Sequence, residues 1–386
     1  MAFKKPVCQF IVVVSIFFLL VAWHQYTANK QYTVTTSSKH NQKLIDETRQ
    51  KQKKNLSLME QKLLQLNNKT KYVIFRCVGR SLCGGWGDRQ HGIISVYLMA
   101  LTMGRRFGII ISRPCDISKY LQPNKVNWKI DSKELHGLKS RYLNLVDGNK
   151  YISSLQSADL ETLYPEDVLY VSTNRIFFYV LKKNARYKEQ LLWASQKSYG
   201  NIFAKVMNLL FRFSDLLQAK FDKFFEVNIP KTNMHLVCAQ IRIGKNPSVP
   251  GDNRRNSMSD VQNVWNFLSK YNNTSKYKIF VTTDSKEVQD IASKKFSSQF
   301  MYTSGEIIHV DRLRKGVKDT CDALRKILMD QYILTKCDTL LVSRSGFGEN
   351  ALLMREKENN IFHFKNGKVT RINIEKFFPG WEKTWL

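Results

Sequence analysis

The sequence predicts an α/β protein whose body consists of two Rossmann-like halves, preceded by an N-terminal transmembrane helix and a stem. Three observations carry that expectation. From residue 71 onward short apolar runs alternate with amphipathic stretches, the pattern of βα units around parallel strands. The alternation blurs over about residues 130–230 and sharpens again at His235, so a second half begins near residue 232. The turns after several expected strands carry glycine, serine or arginine, as in open sheets that bind ligands beyond the carboxyl ends of their strands. At 386 residues, with 43% hydrophobic and 12% aromatic content, the chain is long enough for about two domains and apolar enough for packed cores, which sets disorder aside.

Taken in order, residues 1–6 read as a cytoplasmic tail and 7–23 as a signal-anchor, apolar apart from Gln9 and Ser15. A spanning helix needs roughly 17 to 25 residues, the lower end sufficing in thin early secretory membranes. Lys4 and Lys5 place the N-terminus in the cytoplasm. A cleaved signal peptide is the competing reading, and no convincing small-x-small site after Val21 supports it. Either reading sends the body to the lumen of the Golgi or ER, where Asn55, Asn68, Asn272 and Asn273 are glycan acceptors, although the last two could not easily both be occupied. Residues 24–71 are polar and form the stem. Leu56, Met59, Leu63 and Leu66 allow a short helix there, too short to predict an oligomer.

With Cys8 assigned to the membrane, Cys77, Cys83, Cys115, Cys238, Cys321 and Cys337 remain, and an oxidising lumen favours pairing. Three fall in each half. Pairing within halves leaves one thiol in each, and Cys238, inside an apolar strand, is the expected buried free one. No CxxC pair or close His/Cys set points to zinc, and no metal is expected. The formal charge of +29 draws anions such as nucleotide diphosphates, acidic glycans or lipid headgroups. A solvated lysine-rich surface is the plain alternative, and no nucleic-acid-binding motif appears.

Within the body, strands are expected at 72–76 and 107–112, with a helix over 89–104 between them. The middle, about 130–230, looks helical with less clear strands, and 198–225 carries a long apolar periodicity. Strands then follow at 235–243, 277–283 and 339–343, and helices at 260–271, 285–296, 319–336 and from 349. Four loops after these strands are candidates for chemistry. In Gly84-Gly85-Trp86-Gly87-Asp88-Arg89 the glycines let backbone approach a ligand and the next helix offers free N–H groups to an anion, although a plain tight turn explains glycines equally well. In Gln240-Ile241-Arg242-Ile243-Gly244-Lys245, Gln240 and Arg242 share a face at the strand's end, where an arginine can clamp phosphate bidentately or form a surface ion pair. A Pro/Gly/Asn-rich excursion containing Asp252, Arg254 and Arg255 follows. In Phe280-Val281-Thr282-Thr283-Asp284, Asp284 either caps the next helix or accepts hydrogen bonds from a ribose or base. In Ser343-Arg344-Ser345-Gly346-Phe347-Gly348-Glu349-Asn350, hydroxyls, N–H groups and a helix dipole converge, as suits a diphosphate.

Taken together and in order, these loops resemble a superfamily that includes the α1,2- and α1,6-fucosyltransferases, the nodulation fucosyltransferase and the protein O-fucosyltransferases, over about residues 72–356. Gly85-Trp86-Gly87-Asp88-Arg89 is similar to its GxGN(Q/R) element, with Asp88 where Asn is usual. Gln240-Ile241-Arg242-Ile243-Gly244 is similar to HxRxG in its protein O-fucosyltransferase form, with Gln240 for the leading His and the arginine kept. Phe280 to Asp284 resembles the aTD element, and Ser345-Gly346-Phe347-Gly348 the (S/T)xF(S/G/T) element. The resemblance implies a metal-independent, inverting GT-B enzyme with GDP-fucose in the cleft between its two domains, 72–231 on the acceptor side and 232–386 on the donor side. It also implies a donor site drawn from Gly85, Gly87, Asp88, Arg89, Gln240, Gly244, Asp284, Ser343, Ser345, Gly346 and Phe347. Arg242 would neutralise charge on the β-phosphate, with Asp252 as the candidate general base or no dedicated base at all. A catalytically silent glycan-binding protein on the same scaffold, or a transferase using another nucleotide sugar, are the alternatives.

Overall fold

The computed structural model describes residues 70–79, 83–146, 149–195, 197–229, 233–245, 252–313, 317–355 and 357–374. The expected tail, the 7–23 span, the stem up to residue 69 and the boundary at 231/232 lie outside the described residues. Among the described residues no helix is long and apolar enough to cross a membrane.

The strands are β1 (Tyr72–Cys77), β2 (Arg106–Ile111), β3 (Leu121–Pro123), β4 (Ser140–Asn144), β5 (Val168–Ser172), β6 (Phe211–Phe213), β7 (His235–Ile241), β8 (Tyr277–Thr283), β9 (Phe300–Met301), β10 (Thr339–Ser343), β11 (Ile361–Lys365) and β12 (Lys368–Arg371). The longer helices are α1 (Trp86–Thr102), α2 (Tyr199–Leu210), α3 (Asp215–Asn228), α4 (Met258–Leu268), α5 (Lys286–Lys295), α6 (Thr320–Lys336) and α7 (Gly346–Met354). The first sheet has the order β2-β1-β5-β4 and is parallel throughout. The second has the order β12-β11-β10-β7-β8-β9 and is parallel except for β12 on β11. Interior strands of such sheets are covered on both faces and need unbroken apolar runs. Val73, Ile74 and Phe75 supply one in β1, and Val237, Cys238 and Ala239 one in β7.

The middle of the chain is less helical and less continuous than its pattern suggests. The less clear strands of this stretch are β4 and β5, and β5 (Val-Leu-Tyr-Val-Ser) is an interior strand of the first sheet. The periodicity over 198–225 is interrupted: Phe211, Arg212 and Phe213 pair as β6 with β3, and the Ser214 hydroxyl accepts the Leu217 N–H to start α3 afresh. A β-forming Phe-x-Phe next to an N-cap serine overrides the continuous apolar stripe.

The cysteine expectation is also corrected, since none of the six is free. Cys77 pairs with Cys83, Cys238 with Cys337 and Cys115 with Cys321. Cys238 on β7 is brought beside the segment entering β10, its neighbour in the sheet, with Cα atoms 6.0 Å apart. Cys115, in the loop after β2, meets the first turn of α6, so the third bridge joins the two halves rather than closing either one.

The same junction is polar and buried. Trp86 Nε1 and Gln90 Nε2 both donate to Gln331 Oε1, at 2.7 and 2.9 Å. Gln331 Nε2 donates to Gln90 Oε1 and to the Phe347 carbonyl, at 2.9 and 3.0 Å. Asn350 Nδ2 donates to the Gly87 carbonyl and to Gln90 Oε1, each at 3.0 Å, while its Oδ1 lies 2.9 Å from His91 Nε2. These amides fix α1 against α6 and α7, and a network satisfied in this way specifies one docking geometry.

Candidate active site

The amino end of α1 and the carboxyl ends of β7, β8 and β10 surround a cavity of about 440 Å³, within the range of small-molecule sites. Helix α1 begins earlier than expected because the Asp88 carboxylate accepts the Gly85 N–H at 2.8 Å and closes the first turn. Gly87 makes the close approach that the sequence anticipates, though to protein rather than ligand. A Cβ there would lie 2.6 Å from the Gly346 carbonyl carbon and 2.8 Å from the Phe347 nitrogen. Gly87→Ala is therefore expected to push α1 off the start of α7 and cost about 1–3 kcal/mol by overpacking, read by thermal unfolding.

β7 ends at Ile241, two residues earlier than expected, and the chain turns through Gly244 at φ +77°. A Cβ on Gly244 would sit 2.1 Å from the Asn253 carbonyl oxygen, so only glycine fits this turn. The turn is held by Asp284, whose carboxylate accepts the N–H groups of Ile243 and Gly244 at 2.8 and 3.0 Å. Asp284 does not cap the next helix; Ser285 does, its hydroxyl accepting the Val288 N–H. Arg242 is gripped on both sides. Its NH1 meets Asp284 and its NH2 meets Asp252, each at 2.8 Å, while its backbone N–H donates to the Ser343 hydroxyl at 2.8 Å. That hydroxyl donates onward to Gln240 Oε1 at 3.1 Å. Two carboxylates thus hold the guanidinium plane at the cavity wall, with its remaining N–H groups not used by either pair.

Of the expected donor residues, Gly85, Gly87, Asp88, Gln240, Asp284, Ser345, Gly346 and Phe347 line the cavity together with Arg242. Arg89, Gly244, Asp252 and Ser343 do not. Ser343 is fully buried beneath the site, and Asp252, offered as a base, is committed to Arg242. Arg89 is a buried brace: NH2 meets Asp311 at 2.6 Å, and Nε donates to the Gly84 carbonyl. Burial lowers its pKa, and the charge of Asp311 opposes that shift. Asp311→Ala, which leaves this cation buried and unpaired, is expected to cost about 3–5 kcal/mol in denaturant unfolding.

Sequence reasoning missed several lining residues. The segment 306–310 carries no periodic signal, yet it brings His309 to the cavity. His309 Nδ1 accepts the Asp311 N–H at 3.3 Å, so the ring proton sits on Nε2. Burial first, and Arg242 next among the charges that oppose protonation, lower its pKa and keep the ring neutral at pH 7. Lys326 and Asp330, four residues apart on α6, were legible as a helical ion pair. Asp330 also accepts from Thr282 and Thr303, and Lys326 donates to the Thr303 carbonyl at 3.1 Å. Arg344 and Glu349 flank motif residues and also line the cavity. Among the described residues, no cluster of three or more His, Cys, Asp or Glu could hold a metal ion.

No family model matches the sequence, and no curated protein matches it. Solved structures do. The fucosyltransferase FUT1 of Arabidopsis thaliana, as an arginine-to-lysine variant in complex with GDP, superposes with a TM-score of 0.55 at 16% identity, over 80% of this chain and 76% of that one. The two chains share a fold. Fucosyltransferase NodZ from Bradyrhizobium gives a TM-score of 0.49 at 16% identity, over 79% of this chain and 99% of that one. POFUT1 in complex with GDP-fucose gives 0.43 at 11% identity, over 78% and 99%. At these identities the fold alone is shared, and the FUT1 likeness carries that comparison.

Proposed function

We propose that this protein is a luminal, inverting fucosyltransferase that transfers fucose from GDP-fucose to a glycan or glycoprotein acceptor. One observation carries the reading. Arg242 is held at the end of β7 by two carboxylates, in a cavity that is also lined by the start of α7 and by His309. That arrangement offers a rigid cation, an N–H donor from a neutral imidazole and a helix amino end to a diphosphate that gains charge as its bond to the sugar breaks. The ordered motifs, and a fold shared with GDP-bound FUT1, support guanosine diphosphate as the carrier. Domains 72–231 and 232–386 would take acceptor and donor respectively. Residues 7–23 would anchor the body as a single-pass type II protein of the Golgi or ER membrane, and the three bridges support an oxidising compartment.

The test offers purified protein GDP-fucose, GDP-mannose and UDP-sugars with EDTA present and measures release of the nucleotide diphosphate. Selective release from GDP-fucose is expected. Selective GDP-fucose binding without release, with acceptor glycans supplied, would favour a silent scaffold, and no selective binding would overturn the reading.

A further inference from the structure

Five carboxylates line the cavity: Asp88, Asp284, Glu306, Asp330 and Glu349. Four of them are already engaged or open to water. Asp88 closes the first turn of α1, Asp284 holds Arg242 and the turn after β7, Asp330 is saturated by Lys326 and two threonines, and Glu306 is exposed. Glu349 differs. It is 3% exposed, in the first turn of α7, and its Oε2 is buried with no hydrogen-bond partner. A buried oxygen of this kind is costly to the fold and calls for an explanation in function.

Resting on the function proposed above, we propose that Glu349 is the general base of the transfer, its Oε2 accepting the proton of the attacking hydroxyl. The hydroxyl oxygen forms a bond to C1 of fucose as the bond from C1 to the β-phosphate oxygen breaks. The bonding pair leaves with GDP, against Arg242, and the proton on Glu349 is later lost to solvent. Burial raises the Glu349 pKa to about 7, against the lowering effect of Arg344 and of a hydrogen bond from the Ser345 backbone. A base poised there is near the optimum for work at neutral pH. The other titratable groups around it are Tyr199 on α2, whose pKa burial raises and the charge of Glu349 raises further, and His91 on α1, bonded to the adjacent Asn350. Asp88 and the Lys326–Asp330 pair line the same cavity.

The test needs no knowledge of the acceptor, because water serves as one. GDP release from GDP-fucose by the full chain is followed from pH 5.5 to 8.5, with donor binding measured by calorimetry. Wild-type kcat should rise with pH through about 7 as the base loses its proton. Glu349→Gln should bind GDP-fucose as wild type does, lose roughly 10²-fold or more in kcat, and lose the pH step. Azide should restore GDP release to Glu349→Ala, which a structural role would not allow. Stability provides a check independent of turnover. A carboxyl whose pKa is raised on folding loses stability as pH rises from its unfolded value toward its folded one, so Glu349→Gln should melt above wild type at pH 8 and level with it near pH 4.5. Equal binding with unchanged turnover and pH profile in the Gln variant would overturn the role of Glu349 alone. Absence of GDP-fucose binding in both proteins would instead overturn the function on which it rests.

Discussion

Arg242→Lys should lower GDP-fucose turnover by at least about 10²-fold while leaving the protein folded and its thermal unfolding cooperative, the scale seen when one preorganised charge donor is removed from an active site. The reason is geometric. In the free site Asp284 and Asp252 take one terminal nitrogen each, at 2.8 Å on either side, and the planar fork keeps further N–H groups in the same plane for a diphosphate. A lysine ammonium is a single point on a flexible stem. It would settle on one carboxylate and present no fixed pair of donors to the β-phosphate. The turn after β7 would survive, because it is held by backbone N–H groups on Asp284 and not by the guanidinium. Steady-state kcat beside a melting curve decides the matter, and a folded Lys variant with near wild-type kcat would sink the clamp.

The second large effect is on stability. Removing the bridge between Cys115 and Cys321 with paired serines should destabilise the body by up to about 5 kcal/mol on chain-entropy grounds, because 206 residues separate the two cysteines. The loss should appear as a lower denaturant midpoint. Serines in place of Cys77 and Cys83, which close a separation of 6 residues, should cost less. Equal losses from the two pairs would show that loop entropy is not what the long bridge supplies.

Strand ends in the second half were readable to within a residue or two because β7, β8 and β10 are interior strands with unbroken apolar runs. The loops they deliver were readable for the same reason, and Arg242, Asp284 and Phe347 do meet around one cavity. What was not readable depends on distant partners. Arg89 looks from sequence like a ligand residue at a helix start, and only its contact with Asp311, 222 positions later, makes it a brace. Asp284 looks like a helix cap until the turn at Gly244 comes within reach of its carboxylate. β4 is an edge strand with mostly exposed side chains, so it lacks the apolar signal that identifies a strand. Cys238 sits in a strand that would bury a free thiol equally well, and nothing local reveals that Cys337 lies across from it.

The bridge from Cys115 to Cys321 also orders events during synthesis. At about 5–20 residues per second, the later cysteine leaves the ribosome about 10–40 s after the earlier one. Through that interval Cys115 has no native partner, whereas Cys77 and Cys83 already have each other. The early half therefore cannot reach its final covalent state on its own.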